Sequence, residues 1–447
     1  MLLLLSAHTT VNASAYYEQL YPRLKARATE ATPRLRRPSS RSSMLPDAEA
    51  DALRLRGDLC GVTSYFNPSG GTSRLWQYRL FRERTKRQGL HLTTTELAFG
   101  DAEFGLSRDD ADTLVHRRVS RENVLWQKER LLNLALEVLP GRCTKVAWLD
   151  SDTFFTNKRW VEEASLRLDV FAVVQPWAWL VRLAPNQTWL DPSEISLSRA
   201  ITEHSSIHSA SPDGGLMPFK EIWRGAGWYI AMHGLHTATM HVLQDSGDND
   251  YGHCGIAWAA RRDVLQDGFY DRFIVGGADW VMFASMLGAL RPEAEDWIPE
   301  GMREDLSAWA SRFHARIKGN ISFVDGVALS MFHGQLRKRG YVSRHNILRE
   351  HRFSPTNDIA VNGEGIWEWS SDKLSLHLDV KHYFASRSEE LPNDGRPLRR
   401  TIKAFVNEIK RPSRRASHDQ SGRLRKDWEA YRTGRVQLDT GHAGEGL

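Results

Sequence analysis

A chain of 447 residues with 41% hydrophobic residues, 26% charged residues and a formal net charge of +5 has enough apolar side chains to close a sizeable core without staples. It makes one large α/β unit with extensions or two to three ordinary domains, and no run of about 18 uninterrupted apolar residues is present to cross a bilayer. The 3 cysteines, Cys60, Cys143 and Cys254, are odd in number, widely spaced and without CxxC or zinc spacing, which argues against a disulfide scaffold and for a reducing, cytoplasmic setting.

The opening MLLLLSA is apolar but short, with no basic stretch before it. The sequons at Asn12, Asn186 and Asn320 matter only on a secretory route. Residues 1–56 read as an N-terminal extension: a helix at Ala15–Ala28, then the Arg-, Ser- and Pro-rich linker PRLRRPSSRSS. A second basic segment, 386–447, reads as a flexible tail. Arg23, Arg36, Arg37, Arg399, Arg400 and Arg414 belong to these two clusters, which serve either as solvated tails or as a salt-dependent contact for a polyanion or membrane surface.

Leu59–Phe66, LCGVTSYF, is the first expected strand, followed by a Pro-Ser-Gly-Gly turn and a helix from Thr72 or Ser73 to Gln88. Strands are expected at His91–Leu97 and Thr113–Val119, then a helix at Arg121–Leu139 stopped by Pro140-Gly141. The apolar run Val146–Leu149 is a buried strand that ends in Asp150-Ser151-Asp152. Asn157 caps a helix to Leu168, and Asp169–Gln175 is another buried strand.

From 176 to 252 the pattern loosens, apart from a short helix at Phe219–Arg224, as in a substrate wall or lid inserted into an α/β enzyme. His253–Ala260 returns as a strand with a short helix after it. Gly276-Gly277-Ala278-Asp279 opens a helix to Leu287, and a further helix capped by Asp305 runs to Ile317. Ile321–Phe323 is a short strand, Met331–Gly334 an extended or turn segment, and Tyr341–His351 and Asp372–Phe384 are helices. Strand and helix alternate, so the expected catalytic domain, 57–385, is an open, mostly parallel sheet with helices on both faces.

In such a sheet Asp150 and Asp152 fall at the carboxyl edge, where ligands collect. Two carboxylates one residue apart suit Mg²⁺ or Mn²⁺ when phosphate oxygens and waters complete the shell, and they serve equally as a turn cap and a solvated side chain. His333, in MFHG, is the candidate third ligand or a packed histidine. Asp279 either caps its helix or accepts a proton from an attacking hydroxyl. Lys128 and Arg130 neutralise phosphate or face solvent on a helix. Glu96 and Gln175 lie at strand ends, lining a pocket or bonding structurally. Trp177, Trp179, Trp189, Trp223 and Trp228 are platforms for rings or sugars, or core fill. The chain has no GxxxxGK loop, GxSxG elbow or HExxH helix, which disfavours the hydrolase and kinase readings they mark.

Together these segments resemble the nucleotide-sugar-dependent glycosyltransferases of the GT-A fold, over residues 57 to 385. The family's DxD signature looks like Asp150-Ser151-Asp152, its first nucleotide-binding strand like Gly61–Phe66, its Gly-Gly-acid segment like Gly276–Asp279, and its late metal-binding histidine like His333. In some inverting families the acid follows the glycine pair directly, whereas here Ala278 intervenes.

The resemblance implies a GT-A (Rossmann-like) domain with an acceptor-side insertion at 176–252. The implied donor is a nucleoside diphosphate sugar held by Val62, Thr63, Tyr65, Glu96, Lys128, Asp150 and Asp152. It further implies Mn²⁺ or Mg²⁺ on Asp150, Asp152 and His333, with Asp279 as base in an inverting transfer. The acceptor carries a hydroxyl on a glycan, protein, lipid headgroup or modified nucleic acid. An inactive GT-A-like binding protein and a metal-dependent nucleotidyltransferase share the same core and stay open as alternatives.

Overall fold

Short apolar runs too brief for helices, each followed by a longer stretch with helical spacing, put this chain into alternating strands and helices. The computed structural model describes residues 57–68, 71, 73–184, 187–188, 219–244, 251–334, 339–341 and 343–387. All of them lie in one of the two units into which the chain divides; the other, Asp191–Ser196 with Asn393–Leu447, lies outside the described residues. So do the expected helix at Ala15–Ala28, the basic linker, Trp189 and the basic tail beyond residue 387.

The first half runs β1 (Leu59–Phe66), α1 (Ser73–Arg87), β2 (His91–Phe99), β3 (Thr113–Val119), α2 (Lys128–Glu137), β4 (Lys145–Leu149), β5 (Thr153–Phe155), α3 (Trp160–Leu168) and β6 (Val173–Gln175). The second half runs β7 (Trp179–Leu183), β8 (Phe219–Arg224), α4 (Ala226–His233), α5 (Leu235–Leu243), β9 (Ala257–Arg261), α6 (Ala278–Leu287), α7 (Glu300–Ile317), β10 (Ile321–Phe323) and β11 (Val327–Ser330). Helices α8 (Arg344–Glu350) and α9 (Pro355–Asp358), the hairpin β12 (Ile359–Val361) with β13 (Trp367–Trp369), and α10 (Leu374–Ser386) close the described part.

A seven-stranded sheet has the order β10-β6-β9-β4-β1-β2-β3. Its pairs are parallel except where β9 runs antiparallel between β4 and β6, so the sheet is mostly parallel and mixed, flanked by helices. A four-stranded sheet, β5-β11-β7-β8, adjoins it. The chain passes from one sheet to the other between β4 and β5, so Asp150 ends the large sheet and Asp152 borders the small one.

Val146, Ala147, Trp148 and Leu149 are buried, as a strand covered on both faces requires. Trp148 packs against Phe269 with ring centroids 5.1 Å apart. Among the described residues no helix is long and apolar enough to cross a membrane.

Several expectations are corrected. Cys60, on β1, and Cys143, two residues before β4, are both buried and form a disulfide with Cα atoms 5.5 Å apart. The β1–β4 pairing, invisible in the spacing of the cysteines, brings them together. The argument for a reducing interior falls with it, since such bonds persist in oxidising compartments.

Phe219–Arg224 is a strand, not a helix: pairing with β7 overrides the helical spacing of its apolar residues. The segment read as loose also holds β7, α4 and α5. Helix α2 starts at Lys128 rather than Arg121, because the Trp126 N–H donates to Ile274 O and the Gln127 and Asn123 side chains bond the backbone of β13. Strand β6 is shorter than expected because Asp169 and Val170 still close the last turn of α3. The strand expected from His253 begins only at Ala257. Asp305 lies inside α7, where it accepts from Tyr270 and Arg272 instead of capping.

Candidate functional site

Strand β11 lies antiparallel to β5 with Ser330 opposite Thr153, and the Met331 N–H donates to Asp152 O at 2.9 Å. The residues after Ser330 therefore run beside Asp152. From α1, the Gln77 amide donates to Phe332 O at 2.7 Å and steadies that segment. His333 Nδ1 thus comes to 2.9 Å from Asp152 Oδ2, although its N–H is not aligned for a hydrogen bond. On the next strand Arg182, opposite Ser330, places Nη1 3.2 Å from His333 Nε2. Arg339 donates to His333 O at 2.7 Å and to the Tyr341 hydroxyl at 2.9 Å.

Asp150 is held from both sides of β4. The Thr63 hydroxyl on β1 donates to Leu149 O at 2.7 Å, and the Asp150 N–H donates to Ile256 O at 2.8 Å. Ile256 has φ 78°, a conformation that a β-branched residue adopts only under strain.

The third segment enters through Gly276 and Gly277, with φ 83° and 115°. A β-carbon at Gly277 would stand 2.5 Å from the His345 ring, so glycine is required there by conformation and by space. Helix α6 starts at Ala278, which puts Asp279 inside the first turn and not at the cap; a carboxylate is favoured there by the helix dipole. Lys128, the first residue of α2, joins the two acidic segments: its Nζ is 2.7 Å from Asp150 Oδ1 and 3.2 Å from Asp279 Oδ1.

Burial would strip the Lys128 proton, but Asp150, Asp279 and Glu129 outweigh it and hold the ammonium well above its ordinary value. Burial raises Asp150 to about 6, Lys128 opposing and the carboxylates of Asp279 and Asp152 adding to the rise. At neutral pH it is ionised. Burial works against the Asp152 carboxylate too, but His333, Arg74 and Arg339 overcome it and hold this group below the usual carboxylate range. Burial and then Arg339 lower His333 to about 4, so its imidazole is neutral, the form that can donate a lone pair.

His345, tilted against Trp297 with ring centroids 4.6 Å apart and set against Gly277, is lowered to about 3 by burial and then by Arg344, from an ordinary value of 6.5. Between those values the unfolded chain binds a proton that the folded chain refuses. Stability is thus full above about pH 6.5 and falls as pH drops toward 3. Going from pH 7 to pH 5, His345 is expected to cost about 2 kcal/mol. Urea unfolding of His345→Gln at both pH values should show the drop reduced by that amount, and an unchanged drop would reject the assignment.

No protein-family model matches the sequence, and no curated protein does. Among solved structures, the M. tuberculosis glucosyl-3-phosphoglycerate synthase is 11% identical, with TM-score 0.30 over 73% of this chain and 93% of that one. TarS of S. aureus, solved in complex with UDP-GlcNAc, is 10% identical, with TM-score 0.29 over 67% and 74%. The 4-diphosphocytidyl-2C-methyl-D-erythritol synthase of Anaerococcus prevotii is 9% identical, with TM-score 0.25 over 61% and 89%. Overlaps of this size place no residue of the site.

Of the residues singled out in the sequence, Asp150, Asp152, Lys128, Asp279 and His333 meet around the junction of the two sheets. Val62 and Thr63 are fully buried in the sheet, and Tyr65 packs edge-on to Tyr78. Glu96 is buried and accepts from the Gly105 and Leu106 N–H groups, tying down the loop after β2. Gln175 spends its amide on His253 O and the Gly227 N–H.

Arg130 points elsewhere, to Gly365 O and Asp271. Trp177, Trp179 and Trp228 are core residues, not platforms, while Trp223 stays partly exposed against His253. Sequence reasoning passed over Arg182, Arg339 and Arg344. The run RKRG soon after MFHG was the available signal for Arg339; nothing marked Arg182, which depends on strand pairing.

Among the described residues no group of three or more His, Cys, Asp and Glu side chains is gathered as a metal nest. Asp152 and His333 nevertheless fit a divalent ion. The carboxylate is kept ionised, and the buried, neutral imidazole offers its Nδ1 lone pair beside it in the tautomer protonated at Nε2, which requires the Arg182 guanidinium to turn away from Nε2. Asp150 is the further oxygen donor, and in this structure it faces the ammonium of Lys128.

Proposed function

We propose that the chain is a glycosyltransferase that moves a sugar from a nucleoside diphosphate sugar to a hydroxyl-bearing acceptor. The observation that carries the reading is the contact of Asp152 with His333, ringed by the guanidinium groups of Arg182 and Arg339. A pair suited to a metal and set among arginines is complementary to a diphosphate, whose oxygens guanidinium groups bind well. Arg344, buried beside Gly276 and over the Tyr341 ring at 5.1 Å, adds a further guanidinium next to the glycine turn that leads to Asp279.

Asp150, Asp152 and His333 would hold Mn²⁺ or Mg²⁺, which supplies positive charge against the departing diphosphate. The residues of the chain account for the remainder. Arg182, Arg339 and Arg344 bind and orient the diphosphate. Asp279, with 39% of its side chain exposed, takes the proton of the acceptor hydroxyl. As the acceptor oxygen bonds to the anomeric carbon, the bond from that carbon to the phosphate oxygen breaks and the electron pair leaves with the diphosphate. Attack from the face opposite the leaving group inverts the anomeric centre.

The test is mass spectrometry of a nucleotide-sugar panel incubated with the purified chain, Mn²⁺ and a mixed acceptor extract. Sugar transfer with release of nucleoside diphosphate is expected. Transfer of nucleotide with release of pyrophosphate would select a nucleotidyltransferase instead, and no turnover of any donor would select a binding protein.

A further inference from the structure

We infer that Lys128 is a resident cation that competes with the divalent ion for Asp150, so that the ion binds firmly only as the donor arrives. The inference rests on the glycosyltransferase reading and concerns how its site is loaded. Lys128 Nζ sits 2.7 Å from Asp150 Oδ1 and 3.2 Å from Asp279 Oδ1, and its side chain keeps only 11% exposure. It is therefore a built part of the site and not a surface lysine that happens to reach a carboxylate. Glu129, buried and bonded by the Trp126 indole at 3.0 Å, adds a further acidic group beside it.

Asp150 is also the first carboxylate of the pair whose second member, Asp152, meets His333. An ammonium and a dication drawn to one carboxylate that is only 28% exposed repel each other, because little water is present to screen them. The divalent ion must displace Lys128 from Asp150. A lysine can yield in this way, since its charge is a compact point on a flexible stem, whereas the planar fork of arginine would hold its partner in a fixed geometry.

The incoming diphosphate helps on both counts: its oxygens complete the metal shell and offer the displaced ammonium a new anion. Until then Lys128 keeps Asp150 and Asp279 from repelling each other. It acts through those carboxylates and is a positioning residue.

The experiment uses Mn²⁺ alone, titrated into the full chain and followed by calorimetry and by loss of the free-ion electron paramagnetic resonance signal. Lys128→Met is expected to bind Mn²⁺ about tenfold more tightly than the parent, equivalent to about 1.4 kcal/mol. Lys128→Arg, which keeps the positive charge, should restore weak binding. Adding Asp152→Asn to Lys128→Met should abolish the gain.

If Lys128→Met does not fold, Lys128→Gln serves, and Mn²⁺ should raise its thermal midpoint more than that of the parent. Equal or weaker Mn²⁺ binding in a folded neutral variant, with the parent still binding, overturns the competition and leaves the metal site standing. Absence of Mn²⁺ binding in the parent and in every neutral variant overturns both.

Discussion

Asp152→Asn should lower divalent-dependent donor turnover by about 10³-fold, the scale on which removal of one preorganised electrostatic group acts. Asparagine is close in shape, so the backbone of the sheet junction, including the Met331 N–H to Asp152 O bond, has no reason to move. What disappears is a carboxylate held ionised by His333, Arg74 and Arg339 against the pull of burial. Its depressed value stabilises the fold above the unfolded pKa near 3.8, a contribution lost as pH falls through the lower folded value. The variant should therefore also melt earlier at neutral pH, with the difference closing in strong acid. Mn²⁺ titration of donor hydrolysis, with circular dichroism to verify folding, measures both effects. Parental turnover in a folded variant would remove Asp152 from the mechanism.

Asp279→Asn should lower kcat by about 10²–10⁴-fold, the range for a general base, while KM for the donor changes only a few-fold. The split follows from position. Asp279 approaches the site from the first turn of α6 and pairs with Lys128, whereas the Asp152–His333 contact beside Arg182 is built from β11 and β7. The amide keeps the helix start intact but cannot take a proton. Nuclear magnetic resonance of the product from the parent should show inversion at the anomeric carbon. A retained anomer, or an Asp279→Asn variant with parental kcat, would assign the proton transfer to another group.

The frame of this site was legible in the sequence because it rests on local signals. Leu59–Phe66, Thr113–Val119 and Ile321–Phe323 are strands with the bounds their apolar runs suggest. The carboxylates stand where an apolar strand ends, and two glycines mark the turn into α6 because the backbone there needs positive φ.

Long-range pairing was not legible. The meeting of Asp152 with His333 depends on β5 and β11 joining in one register, and Arg182 arrives only because β7 adds to the same sheet. A lysine in a charged stretch, WQKER, looks like a solvated helix face until backbone bonds from Trp126 delay the helix and bury Lys128 at its start. Tryptophans offered the opposite error. In Trp177, Trp179 and Trp228, bulk that suits a sugar face was used to fill the core, a choice that composition cannot reveal. Cys60 and Cys143 were misjudged for the same reason, since strands far apart in sequence lie side by side.

Ile256, at φ 78°, has a wider bearing. A branched residue in that region costs the folded chain roughly 1–3 kcal/mol, and it is this residue whose carbonyl receives the Asp150 N–H. Selection for stability alone would favour glycine or asparagine there. The chain instead carries a local penalty next to its acidic centre, so thermal robustness and placement of Asp150 trade against one another at a single backbone position.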